Sequence, residues 1–201
     1  AAHPGMAREL LQNDERITAA VYQCLSAVPQ EIRGRLRKIL FSPNSVAPET
    51  LLAPSVGLPA TFILSYAVAQ TLMELEVEPA AMVGLSLGEY VAACLSGVLS
   101  LEDALALVVL RGRLYESHQE DAAMVTANAG VDRLAEFLTD DVEVSTIAAP
   151  DICNLSGPRS AMDALERRLA QAEIPHSRVP INMASHCKLV EPMLGPLAEL
   201  V

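Results

Sequence analysis

The feature that most constrains this chain is a Gly-x-Ser-x-Gly run, Gly84-Leu85-Ser86-Leu87-Gly88. It lies between a short apolar stretch, residues 80–85, and a segment that turns helical at once through Glu89-Tyr90-Val91-Ala92-Ala93-Cys94-Leu95. Strand, tight turn and helix in that order predict a nucleophile elbow, in which the flanking glycines let strand and helix approach and the serine hydroxyl stays exposed. The same geometry puts Ser86 at a helix N-terminus, where N–H groups and the helix dipole favour a developing oxyanion. The Leu87 amide is the expected donor. An ordinary glycine-rich turn can carry the same five residues, so the weight rests on the strand before them and the helix after them.

Around the elbow the pattern is mostly helical up to about residue 120. Residues 6–12, 14–28 and 30–41 carry apolar positions at helical spacing, and Pro43 and Pro48 break the run. A long, nearly all-apolar helix is predicted over 59–76, closed by Pro79. The elbow helix stops at Gly97, and Ser100 with Asp103 three residues on opens another that runs to about His118. The rhythm then changes. Strand 123–129, helix 131–139, strands 142–148 and 151–156, helix 159–173 and strand 175–182 give the order β-α-β-β-α-β, the ferredoxin-like order. A small subdomain over 121–183 is therefore expected, with residues 184–201 helical and returning to a larger subdomain formed by 1–120.

Composition sets the outer bounds. Half of the 201 residues are apolar, enough for one compact unit or two small subdomains. A formal net charge of −11 argues against a nucleic-acid backbone or an anionic membrane as partner, since either needs a basic face. Gln70 and Glu74 interrupt the best candidate for a membrane span, near 58–77, and no signal peptide is read at the start. Cys24, Cys94, Cys153 and Cys187 lack Cys-x-x-Cys spacing, which fits a reducing, cytoplasmic setting better than a disulfide framework or a zinc site. The abrupt opening at Ala1 and the stop at Val201 within a helical stretch predict trimmed ends.

A serine hydroxyl needs a base within hydrogen-bond reach. The chain offers four imidazoles: His3 near the terminus, His118 at a helix end, His176 opening a strand and His186 at a strand-to-helix junction. Any one of them read alone is more often structural than catalytic, and no triad carboxylate is evident. Arg111 follows the apolar stretch 104–110. A guanidinium there requires an anionic partner, either a bound carboxylate held by two parallel hydrogen bonds or an internal one such as Glu89 or Glu102.

Three segments together carry a resemblance. Gly84-Leu85-Ser86-Leu87-Gly88-Glu89-Tyr90, Leu110-Arg111-Gly112-Arg113-Leu114 and Met183-Ala184-Ser185-His186-Cys187 resemble the malonyl-CoA:acyl-carrier-protein transacylases and the acyltransferase domains of polyketide synthases. The likeness spans nearly the whole chain. It implies an α/β fold, with an α/β-hydrolase-like large subdomain and an inserted ferredoxin-like small one. It also implies that Ser86 takes a malonyl-type group from a coenzyme A thioester, that His186 is its base and that Arg111 grips the free carboxylate. An acyl carrier protein would then receive the acyl group on its phosphopantetheine thiol in a ping-pong cycle, with no bound cofactor or metal, in fatty acid or polyketide biosynthesis.

The chain departs from the family pattern in places. Leu85 and Ala148 stand where the family usually has His and Asn. The family's Gly-Gln-Gly segment would precede Ala1, and the residue that orients the histidine would follow Val201, so a chain with these ends is expected to show weak or no activity. Leu87 and the Ser185-His186-Cys187 run resemble malonyl enzymes, whereas Met183-Ala184-Ser185-His186 also resembles methylmalonyl-loading domains. Arg33, Arg35, Arg37 and Lys38 offer a basic patch for a carrier protein, with a solvated helix face as the plainer reading. A serine esterase, which has no need of Arg111, and a degenerate, non-catalytic synthase domain are the competing readings.

Overall fold

The computed structural model describes residues 3, 5–42, 46–118, 121–181 and 183–200. Pro43, read above as a helix breaker, lies outside them, as do both terminal residues. The chain divides into two compact units, Ala1–Arg113 and Leu114–Val201.

The first unit is helical, with α1 (Arg8–Asn13), α2 (Glu15–Ala27), α3 (Gln30–Phe41), α4 (Pro54–Glu74), α5 (Leu87–Leu95) and α6 (Leu101–His118), in which the division between units falls. Its core is built on α4, whose Val56, Ala60, Phe62, Ile63 and Ala67 pack with Val21 and Cys24 of α2, Leu36 of α3 and Leu105 and Val108 of α6. α4 begins five residues before the expected start. Pro54 fits the first helical position, where no N–H donor is needed, and Pro59 forfeits a single hydrogen bond one turn later. The longer helix is long and apolar enough, by length and composition, to cross a membrane, which corrects the expectation that Gln70 and Glu74 preclude it; 56% of its most apolar window is buried in the unit.

Helix ends follow local chemistry. At the end of α4, Glu76 takes φ 62° while Glu76 N–H donates to Met73 O and Val77 N–H to Leu72 O. This paired closure ends the helix before Pro79 is reached. Ser100 opens α6 as expected: its hydroxyl accepts from Asp103 N–H at 3.0 Å and donates to the Asp103 carboxylate at 2.6 Å. The expected strand over 80–85 is not formed. Among the described residues no ladder pairs with it, and Val83 is 95% and Leu85 68% exposed.

The second unit holds a four-stranded antiparallel sheet. β1 (Ala122–Ala127), α7 (Val131–Leu134), β2 (Glu143–Ala149), β3 (Ile152–Pro158), α8 (Arg159–Gln171) and β4 (His176–Arg178) follow in the β-α-β-β-α-β order, and the strands lie β2-β3-β1-β4. Three predicted elements are shorter. The helix read over 131–139 is a single turn continued by a 3-10 stretch at Ala135–Phe137. α8 stops at Gln171 by the same paired closure, with Glu173 at φ 57°. β4 has three residues, because after Val179 N–H donates to Met124 O the next position is Pro180, which has no donor.

β1 is buried on both faces, and its alternating side chains separate two clusters. Ala123, Val125 and Ala127 face Leu134, Leu155, Met162 and Leu165, whereas Ala122 and Met124 pack with Ala184 and Cys187. Residues 184–201, including α9 (Glu191–Ala198), lie in the second unit.

Gly112 sets the spacing between α6 and the start of α4, since a Cβ there would stand 2.5 Å from Pro54 O and 2.7 Å from Ser55 Cα. Gly112→Ala is expected to cost about 1–3 kcal/mol through overpacking, read as a melting temperature lower by several degrees in a thermal denaturation scan.

Candidate active site

Ser86 is the N-cap of α5, at φ 53° and ψ −110°. That backbone region suits glycine, and holding a serine in it costs about 1–3 kcal/mol. Local bonds hold it there. Gly88 N–H donates to Leu85 O at 3.0 Å and Glu89 N–H to Ser86 O at 3.1 Å, while the Glu89 carboxylate reaches back across the turn to accept Gly84 N–H at 3.0 Å. Gly84 is required by packing, because a side chain there would overlap the backbone of Gly88 and Glu89; a Cβ on Gly88 meets open space. The close approach therefore rests on the first glycine of the motif alone. Leu87, at the first helical position, has no carbonyl one turn back within the helix to receive its N–H.

Arg111 reaches the same place from α6. The residue is buried, 6% exposed, and its Nη2 donates to Ser86 Oγ at 3.0 Å. Its Cζ lies 5.3 Å from the ring centroid of Tyr90. Ser86, Leu87 and Arg111 are thus brought together in the first unit. Glu89, one of the internal partners weighed for Arg111, has its carboxylate on Gly84 N–H. Tyr90 was not singled out from the sequence, although its place four residues after Ser86 on a helix is the signal for a shared face.

His186 belongs to the second unit. It is exposed at φ 57°, between the buried Ser185 and Cys187. The Ser185 hydroxyl donates to Met124 Sδ at 3.4 Å, so the segment is tied to β1 on both sides of the imidazole. Two other histidines are engaged by local backbone: His118 Nδ1 lies 3.1 Å from Leu114 O and His176 Nδ1 2.8 Å from Ile174 O. Four described residues other than glycine have positive φ: Glu76, Glu173, Ser86 and His186. The glutamates close helices. The remaining two are the residues picked as nucleophile and base, and unexplained strain of this kind concentrates where chemistry is done.

Burial raises all four cysteine thiols. Burial pushes the Cys24 thiol up to about 12 and raises that of Cys187, which stands next to His186. Among the described residues no group of three or more His, Cys, Asp or Glu is placed to hold a metal ion.

A family model described as acyl transferase domain matches residues 3–201. The chain belongs to this acyl transferase domain family. One of the proteins that make up the phenolphthiocerol/phthiocerol polyketide synthase of Mycobacterium tuberculosis is 32% identical over 201 residues, all of this chain but 13% of the relative. The acyltransferase domain from the second module of the salinomycin polyketide synthase is 34% identical with a TM-score of 0.88, over 100% of this chain and 46% of that one. The acyl transferase domain of SpnD, solved in complex with 2-(pent-4-yn-1-yl)malonyl, is 32% identical with a TM-score of 0.87, over 98% of this chain and 46% of that one. The chain thus spans about half the length of these solved domains and about an eighth of the curated relative. Its fold is the α/β fold of acyltransferase domains.

Two outcomes are expected from the turn at Ser86 and the buried thiols. Glu89→Ala should slow labelling of Ser86 by a fluorophosphonate by about 3- to 10-fold, the worth of one hydrogen bond, whereas Glu89→Gln, which keeps an acceptor for Gly84 N–H, should stay within about 2-fold; mass spectrometry reads both. Thiols held above their ordinary range carry little thiolate at pH 8, so Cys24 and Cys187 should resist iodoacetamide in the native protein and react on denaturation.

Proposed function

We propose that this chain transfers a malonyl-type acyl group from coenzyme A to the phosphopantetheine thiol of an acyl carrier protein through an ester on Ser86. Ser86 Oγ attacks the thioester carbonyl and its proton passes to His186, while the Leu87 N–H receives the oxyanion. As the carbon–sulfur bond breaks, His186 returns the proton to the coenzyme A thiolate. The carrier thiol then attacks the ester, its proton goes to His186, and as the carbon–oxygen bond breaks His186 passes that proton to Ser86 Oγ, restoring the hydroxyl.

The observation that carries this reading is the buried Arg111 guanidinium 3.0 Å from Ser86 Oγ. In a malonyl group one methylene separates the carboxylate from the reacting carbonyl. A cation that grips the former therefore holds the latter over the nucleophile, and binding of the free end becomes orientation of the reacting end. An esterase acting on neutral esters gains nothing from burying a cation there. SpnD's malonyl-derived ligand, in a relative of this chain, supports the same substrate class.

Malonyl itself is the preferred substrate in this reading, with methylmalonyl the alternative. The reading includes an α/β-hydrolase-like large subdomain with an inserted ferredoxin-like one. Four free thiols suit a reducing, cytoplasmic setting, which belongs to the same proposal. For carrier docking, Arg35, Arg37 and Lys38 remain exposed on α3, whereas Arg33 closes the end of α2 by donating to Ser26 O at 2.7 Å and Val28 O at 3.0 Å.

Arg111→Ala should lower malonylation of Ser86 from malonyl-CoA by about 100-fold or more, the worth of a two-pronged charged pair, and leave or raise acylation from neutral acyl-CoA. Intact-protein mass spectrometry gives both rates. Unchanged malonylation would favour a hydrolase.

A further inference from the structure

Arg111 is a long side chain with many rotamers, and proximity to Ser86 serves carboxylate recognition only if the guanidinium is held in place before substrate arrives. Resting on the malonyl-transfer reading above, we infer that Tyr90 is the positioning residue for Arg111 and thereby sets the preference for acyl groups that bear a carboxylate. Tyr90 stands four residues after Ser86, one turn into α5. Helical side chains lean toward the helix N-terminus, so its ring covers the turn that presents Ser86. Arg111 Cζ is 5.3 Å from the ring centroid, inside the roughly 6 Å over which an aromatic face attracts a cation.

The kind of contact matters as much as its presence. A carboxylate in the place of the ring would fix the guanidinium by neutralising it and by occupying its planar edge, which is the edge a substrate carboxylate binds. An aromatic face attracts the charge from above or below and uses none of the N–H donors. Tyr90 can therefore fix the plane of Arg111 without competing for its hydrogen bonds. Burial strengthens the contact, since little water reaches a residue that is 6% exposed.

Tyr90 also packs against the core of the first unit, so the test must separate packing from positioning. The measured quantity is the ratio of Ser86 acylation rates from malonyl-CoA and butyryl-CoA, taken by mass spectrometry on one preparation. Tyr90→Phe should keep the wild-type ratio within about 2-fold. Tyr90→Leu should lower it about 5- to 30-fold, the range of a cation–π contact from exposed to desolvated, chiefly through a higher KM for malonyl-CoA. Phenylalanines of increasing ring fluorination at position 90 keep the shape while draining charge from the ring face, so the ratio should fall in steps; this series decides the matter if Tyr90→Leu fails to fold. Both rates falling together in Tyr90→Leu, or a flat fluorination series, would overturn the role of Tyr90 alone. A wild-type protein without preference for malonyl-CoA overturns the inference and the function it rests on.

Discussion

A serine at φ 53° does not stay there unaided, and the first unit is organised around keeping it there. The strain is local, yet what opposes it comes from three places in the chain. Gly84 lets the extended segment lie against the backbone of α5, Glu89 ties that segment from the far side of the turn, and Arg111 reaches the hydroxyl from α6. Gly112 next to Arg111 lets α6 lie close to α4, the helix on which the hydrophobic core is built. Ser86 is thus connected through a few named contacts to the hydrophobic core of its unit, whose buried apolar surface supplies free energy to hold an unfavourable turn.

How much of this was legible in the sequence follows from the range of the forces involved. The elbow, the capping of α6 by Ser100 and Asp103 and the β-α-β-β-α-β order depend on neighbours a few residues apart, and local pattern reveals them. The stretch 80–85 reads as a strand by composition, but a strand exists only through a ladder to a distant partner. The start of α4 is hidden because proline reads as a boundary at position 59, when it is Pro54 that occupies the position made for it. The apolar pattern of β4 runs on past Pro180, where the ladder has already ended for want of a donor.

The site divides in the same way. Ser86, Leu87 and Arg111 could be named because a motif and a misplaced charge point to them, and the first unit brings them together. Glu89 and Tyr90 stand in the same motif, but nothing in the sequence gives them these contacts. Their significance comes from what they touch, the amide of Gly84 and the face of a guanidinium contributed from a helix beginning more than ten residues later. In a chain with a net charge of −11, the group that faces the Ser86 hydroxyl is a buried cation in contact with the Tyr90 ring. Overall charge and charge at the site therefore have opposite signs, and only the second bears on the chemistry.

The two glutamates that close α4 and α8 hold left-handed backbone for the sake of geometry alone, since neither is part of the turn at Ser86 or the segment at His186. Glycine adopts that conformation without penalty. The molecule thus keeps slack at two helix ends, outside the turn at Ser86 and the segment at His186. Hardening it against heat can begin at Glu76 and Glu173 without disturbing the strained turn at Ser86.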